Sequence, residues 1–270
     1  MSRENQPPVS LQMFGELVKC RREGKGWTQA RLGKSLGYSE SWVRKLESGG
    51  YKPKPEQVEV LEFALDGDGS IRRLAKFLVR DGFPEWFAEY ANLEAEAIVL
   101  QSYNTHVLHG LLQTEAYARA VLAARVPASR VEEAERWLQA RMSRKEIFDR
   151  TPLPTLTFVI EAWVLMRPVG GRAVMKEQLR HLLELGQLPN VSIQVMPIEC
   201  EAHAGFDGPM TLLETPDHRI AGYAEGQVKS RVITNPHEVS IMVQRYGTLR
   251  SQALTIGESA RFIQELEQQL

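Results

Sequence analysis

From Leu11 onward apolar residues recur at helical spacing, with Leu11, Phe14, Leu17 and Val18 forming one stripe that Gly24 and Gly26 stop. Residues 1–9, with two prolines and no apolar period, are expected to form a flexible tail. The pattern predicts a second short helix from Thr28 as N-cap to Leu36. A third runs from Ser39 through Val43 and Leu46 to Glu47, with Gly37 between the two and Ser48, Gly49 and Gly50 at the end. After Lys52-Pro53-Lys54-Pro55, a fourth helix carries Val58, Leu61 and Leu65 on one face up to Asp66-Gly67-Asp68-Gly69, the first expected domain boundary. Residues 71–80, 85–101 and 114–124 also read as helices, and 129–149 as a long amphipathic one ended by Pro152 and Pro154.

The period then changes. Leu156 to Leu165 is a strand-like apolar run, 173–185 is helical, and Val191 to Met196 alternates as a strand, which predicts a parallel pair with a right-handed crossover. Shorter strands are expected at 210–214, 219–224 and 230–233, with helices from Pro236 to about 253 and over 257–269. The expected fold class is multidomain. An all-α helix-turn-helix domain covers 10–66, a linker helix 67–85, and a C-terminal domain 86–270, helical over 86–153 and α/β (α+β) over 154–270.

Composition adds that 43% apolar and 25% charged residues suffice for packed globular cores. Cys20 and Cys200 lie too far apart in sequence for a disulfide framework or a zinc site, which favours a reducing compartment. Neither an export signal nor a run of roughly 18 apolar residues is present, so a cytoplasmic protein that does not enter the membrane is expected. The net charge of −1 hides an asymmetry: residues 1–54 hold eleven Lys and Arg against five Asp and Glu. A basic head on an acidic body is expected where one end meets a polyanion.

The segment Trp27-Thr-Gln-Ala-Arg-Leu-Gly-Lys-Ser-Leu-Gly-Tyr-Ser-Glu-Ser-Trp-Val-Arg-Lys-Leu-Glu-Ser-Gly49 resembles the XRE family of repressor-like helix-turn-helix domains. The resemblance rests on Thr28-Gln29 opening the second helix, the small Gly33, the turn glycine, apolar Val43 and Leu46, and the closing Glu-Ser-Gly. A helix fits the major groove, and the helix before it aims its N-terminal amides at phosphates. The resemblance implies that Gln29, beside Thr28, clamps a phosphate. It also implies that Ser39, Glu40, Ser41, Arg44 and Lys45 lie on or beside the groove face. Glu40 can accept from cytosine N4, and Lys45 or Arg44 can donate to guanine. Arg22 and Glu47 match an arginine and glutamate that pair structurally in such domains. Trp42 either packs against the fourth helix or lies along the DNA backbone. Tyr51 and Lys52, in the loop after the recognition helix, suit phosphate contact, which positions without specifying sequence.

The stretches Gly110-Leu-Leu-Gln-Thr-Glu-Ala-Tyr-Ala-Arg119, Arg167-Pro-Val-Gly-Gly171, Leu188-Pro-Asn-Val-Ser-Ile-Gln-Val195 and Ala202-His-Ala-Gly-Phe-Asp-Gly-Pro209 resemble the C-terminal domain of Scr/WhiJ-like, antitoxin-like actinobacterial regulators. That family usually has proline where this chain has His109. The resemblance implies a small BldB-like partner protein and assigns no chemistry. No His-Glu-x-x-His, phosphate-cradling loop or nucleophile elbow occurs, so no enzyme activity, cofactor or metal is expected. Glu199, Cys200, Glu201 and His203 imitate a metal cluster at a spacing that fits no familiar site. Glu161, on an apolar strand, with His203, Asp207 and Glu225, is the candidate polar cluster for a ligand or partner, since carboxylates in such runs are costly unless paired.

These readings converge on a homodimeric transcription regulator on a double-stranded DNA operator, with half-sites roughly 34–36 Å apart. The alternatives are a ligand-sensing repressor with a pocket in the C-terminal domain, and an enzyme that the head merely localises.

Overall fold

The computed structural model describes residues 9–75, 78, 85–226 and 230–270. Residues 1–8 of the expected tail, and 76, 77 and 79–84 of the expected linker, lie outside the described residues. The chain divides into two compact units, residues 1–81 and 82–270.

The first unit comprises α1 (Val9–Gly24), α2 (Gln29–Leu36), α3 (Glu40–Glu47), α4 (Pro55–Ala64) and α5 (Ser70–Ala75). Its core gathers the apolar stripes: Leu11, Phe14 and Val18 meet Leu32, Val43, Leu46, Val58, Leu61 and Leu65. Both expected caps form, with Thr28 Oγ1 accepting from the Arg31 amide at 3.1 Å and Ser39 Oγ from the Trp42 amide at 3.2 Å. The expected boundary at Asp66–Gly69 falls too early, because Ile71 and Leu78 join the same core. The buried Glu62 carboxylate folds that turn back, accepting from the Gly69 amide at 2.6 Å and the Arg72 amide at 2.7 Å. It thereby satisfies donors at the start of α5 that have no intrahelical partner.

Two glycines make the helices' close approach possible. A Cβ on Gly33 would meet the Tyr38 carbonyl oxygen at 2.7 Å, so this small residue accommodates the turn between α2 and α3. A Cβ on Gly15, in α1, would stand 2.5 Å from the Glu47 oxygen and 2.6 Å from the Leu46 oxygen, where α1 crosses the end of α3.

The second unit opens with α6 (Glu85–Glu96), followed by β1 (Val99–Asn104), α7 (Glu115–Ala123) and α8 (Val131–Ser143). Then come β2 (Thr155–Glu161), α9 (Ala162–Met166), α10 (Arg172–Leu185), β3 (Val191–Met196), β4 (Met210–Glu214), β5 (Ile220–Ala224) and β6 (Arg231–Ile233), with α11 (Pro236–Gln252) and α12 (Ile256–Gln269) closing it. The six strands form one sheet in the order β3-β2-β1-β4-β5-β6. β3, β2 and β1 run parallel, as the strand–helix–strand pattern predicts for β2 and β3, while β4, β5 and β6 are antiparallel.

Sequence periodicity misplaces two elements. Residues 97–101 end no helix: α6 stops at Glu96, and β1 becomes a central strand paired with β2 and β4. The strand-like run 156–165 splits after Glu161, where α9 buries Val164 and Leu165 and exposes Trp163 and Met166.

Strand alternation gives the sheet two covered faces. Leu156, Phe158 and Ile160, with Leu100, Ile193 and Val195, pack beneath residues of α6, α7, α10 and α12. Val159, Tyr103, Met196 and Leu212 point the other way, toward Val239, Met242, Tyr246 and Leu249 of α11.

Candidate DNA interface and polar sites

Burial of Val43, Leu46 and Glu47 turns the opposite side of α3 to solvent, leaving Glu40, Ser41, Arg44 and Lys45 exposed. These positions share one helical face. Arg44 Nη2 donates to Glu40 Oε1 at 2.9 Å, which leaves the other N–H groups of Arg44 and Oε2 of Glu40 for base edges. Lys45 makes no ion pair among the described residues. Ser39 and Ser41 hydroxyls lie 2.9 Å apart at the helix start.

The presentation of α3 is locked from behind. Arg22 Nε donates to Glu47 Oε1 at 2.6 Å and Nη2 to Oε2 at 3.1 Å, with both side chains buried, and Arg22 Nη1 also donates to the Trp27 carbonyl at 2.7 Å. The hydrogen bond from Glu47 raises the Arg22 guanidinium above its ordinary value despite burial. Gln29 Nε2 donates to Glu47 Oε2 at 2.8 Å, which ties the N-terminus of α2 to the same carboxylate. One amide hydrogen of this expected phosphate clamp is therefore spent internally, and the other remains for a phosphate. Thr28 is exposed beside it.

The loop after α3 differs from expectation. Tyr51 donates its hydroxyl proton to Gln57 Oε1 at 2.9 Å and sets its ring edge-on to Trp42, so it braces the fold and has no proton for a phosphate. Lys52 Nζ donates to the Leu78 carbonyl at 3.2 Å, tying the loop to the end of the unit. Trp42 stacks on Tyr38, ring centroids 4.2 Å apart, and packs against the core. Lys45→Ala is expected to change base preference, losing more affinity on the preferred site than on random DNA. Lys52→Ala is expected to lower the melting temperature and leave the salt dependence of binding unaltered; a fall in that slope by about 1 would return Lys52 to the phosphates.

The four polar candidates of the second unit do not form one cluster. Glu161 is fully buried, accepts the Tyr103 hydroxyl proton at Oε1 and lies 3.5 Å from His203 Nε2, while its Oε2 finds no partner. Burial pushes the Glu161 carboxyl up, against the lowering effect of the Tyr103 hydrogen bond. Asp207 is exposed and pairs with Arg245 at 2.7 Å. Glu225 is exposed at the rim of a separate cavity above β1, β4 and β5. His203 and Asp207 thus have different partners, Glu161 and Arg245.

A buried network escapes sequence reading. Arg144 Nε and Nη2 each donate to Glu94 at 2.6 Å, and the Tyr90 hydroxyl donates to Glu94 Oε2 at 2.9 Å. His109 Nδ1 accepts from the Leu111 amide at 3.3 Å, so its neutral form carries the proton on Nε2, which meets the Tyr90 oxygen at 2.9 Å. His109, standing where proline was expected, thus buttresses this pair. Burial holds its imidazole down to about 4, against the raising effect of Glu94. Between the ordinary value of 6.5 and that lowered value the unfolded chain binds the proton and the folded chain does not. Stability therefore falls as pH drops through this window, by up to roughly 3 kcal/mol from His109. Denaturant titrations across pH 4–6.5 should show a shallower decline for His109→Gln than for the unaltered chain, and equal declines would refute the assignment.

Among the described residues no group of three or more His, Cys, Asp or Glu is placed to hold a metal ion, and no helix is long and apolar enough to cross a membrane.

Together, the capped α2 and α3, the glycine-permitted crossing and the exposed polar face define a helix-turn-helix DNA-binding regulator with a mixed α/β second unit. Residues 13–74 match the helix-turn-helix domain model, and residues 87–265 match the domain of unknown function DUF5753. The chain belongs to the DUF5753 family. No match was found among curated proteins or among solved structures.

Proposed function

We propose that the chain is an XRE-type, sequence-specific transcription regulator of the antitoxin-like, Scr/WhiJ-like actinobacterial kind, acting in the cytoplasm as a homodimer and without enzymatic activity. The carrying observation is the exposed Glu40, Ser41, Arg44 and Lys45 face on a helix anchored through Arg22, Glu47 and Gln29. One such helix reads only a few base pairs, so two copies on half-sites roughly 34–36 Å apart supply useful specificity. Footprinting on sites selected from random DNA, with sedimentation in parallel, tests this. Two protected half-sites and a dimer support it, whereas equal affinity for all sequences refutes it.

The second unit is read as the docking site of a small BldB-like protein. The family resemblance motivates this reading. So do the exposed Trp163 and Phe206, 44% and 71% accessible, which line one shallow cavity beside Arg167. Exposed aromatic residues beside an arginine suit a protein interface. Titrating a small BldB-like protein into the full chain should give saturable binding that Phe206→Ser weakens, and no binding refutes the partner. If the partner alters operator affinity, operator must alter partner affinity by the same factor.

A further inference from the structure

The face of the sheet that carries Leu100 is apolar in its middle and polar at one end. There β1 turns Ser102 and Asn104, and β4 turns Thr211, into a cavity of about 270 Å³. α6, α7 and α8 close it, and Tyr90, Trp137 and Tyr223 supply aromatic walls. The volume suits a small molecule, and such sites combine apolar walls with a few convergent polar groups.

Ser102 and Thr211 pair through their hydroxyls at 3.1 Å, but Asn104 is only half satisfied. The amide oxygen of buried Asn104 accepts no hydrogen bond, while its Nδ2 donates to Ser102 Oγ at 3.2 Å. The Tyr223 hydroxyl lies in the same wall, with Ser230 as its neighbour. Unsatisfied buried polar atoms are rare in folded proteins because each costs about 1–3 kcal/mol, so the open Asn104 oxygen in a cavity wall points to a ligand that satisfies it.

The cavity also holds a cation that makes no ion pair among the described residues. Arg141 Nη1 donates to Gln113 Oε1 at 2.9 Å, and Gln113 is itself held by donating to the Leu108 carbonyl at 2.7 Å. Among the described residues Arg141 has no carboxylate within ion-pair distance, in contrast to Arg144, which pairs with Glu94. Burial, and then repulsion from Arg144, pull the Arg141 guanidinium down to about 10, as befits a charge lacking solvation. Arg125, over the Trp137 ring at 4.7 Å, adds a second positive group at the rim, opposed by the exposed Glu225. A polyanion would meet repulsion from Glu225, whereas a monoanion that also carries an amine or hydroxyl would suit both charges.

We propose that this cavity is an effector site for a small aromatic carboxylate bearing a hydrogen-bond donor. Its carboxylate is held by Arg141, its donor by Asn104 and its ring by the aromatic walls. Gln113 is a positioning residue that orients the guanidinium. This places an effector cavity on the sheet face opposite α11, away from the Glu161–His203 pair. Ligand capture does not depend on DNA binding, so it stands or falls separately from the operator reading.

Calorimetry of the full chain without DNA tests the site, with anthranilate and salicylate as probes. Benzoate serves as the probe lacking a donor, and salicylamide as the probe lacking the carboxylate. The two probes are expected to bind saturably at one per chain, benzoate more weakly, and salicylamide not measurably. Arg141→Gln should weaken the probes by about tenfold or more, the loss of one charge-assisted contact, and Arg141→Lys should recover part of that. Tyr223→Phe, which removes only a hydroxyl, should weaken them a few-fold while the melting temperature is maintained. The proposal is overturned if neither carboxylate binds saturably at millimolar concentration, if salicylamide binds as well as salicylate, or if folded Arg141→Gln retains full affinity.

Discussion

Arg144→Ala is expected to destabilise the second unit by about 3–5 kcal/mol, a large share of the 5–15 kcal/mol that holds an ordinary domain together. Glu94 is 1% exposed and Arg144 5%, so removing the guanidinium strands a carboxylate where water cannot reach it. Tyr90 would still donate to Glu94, but one neutral hydroxyl cannot replace two charge-assisted bonds of 2.6 Å. The lost side chain also packs over the Phe87 ring, with its guanidinium carbon 5.0 Å from the centroid. At present burial drives the Glu94 carboxyl up and Arg144 more than reverses this, leaving it below its ordinary value. Without Arg144 only the weaker effects of His109 and the Tyr90 hydrogen bond oppose burial, so Glu94 is driven toward its protonated form and the defect should shrink as pH falls. Urea denaturation followed through the second unit checks both parts, and a loss below about 1 kcal/mol would mean that the pair is dispensable. The double variant Glu94→Leu with Arg144→Met should cost less than the sum of the single losses, because it leaves neither charge behind.

Arg22→Ala should have the next largest effect, again about 3–5 kcal/mol and toward the lower end, since Gln29 continues to donate to Glu47. The loss extends beyond one pair: the same guanidinium holds the Trp27 carbonyl and so fixes the approach to α2. Operator affinity should fall along with stability, because α2 and α3 are held in register through Glu47. Arg22→Lys should recover little, as an ammonium cannot reproduce the two-pronged contact. A denaturation midpoint of the first unit that is unchanged in Arg22→Ala would show that the network is not structural.

Local physics made much of this molecule legible in the chain. The stripes of α1 to α4, the Thr28 and Ser39 caps, the exposed polar face of α3 and the parallel pairing of β2 with β3 follow from periodicity, cap chemistry and connection rules. The Arg22–Glu47 pair, 25 positions apart, was visible only through resemblance to other helix-turn-helix domains. The contacts that Tyr51 and Lys52 make within the fold are not legible in the chain, because a loop sequence displays donors without showing which carbonyl or amide folds back to take them.

Tertiary structure decided the rest, wherever the determining partner is remote along the chain. Residues 97–101 carry no signal that separates a helix end from a strand start, and β1 exists because β2 and β4 supply hydrogen bonds on both sides. Gly15 looks unremarkable until α3 crosses it. Glu94 and Arg144 are 50 positions apart on a helix and a helical turn, and nothing local to either segment names the other as its partner. Strand alternation sent Asn104 and Glu161 to opposite faces of one sheet, so the polar residues near the sheet became two sites rather than one. The sequence by itself determined most of the helices and strands and which helix can face DNA, because those choices depend on residues within a few turns of each other. Which buried charges are paired, and which are left open toward a cavity, depends on distances that exist only after the sheet has closed against its helices.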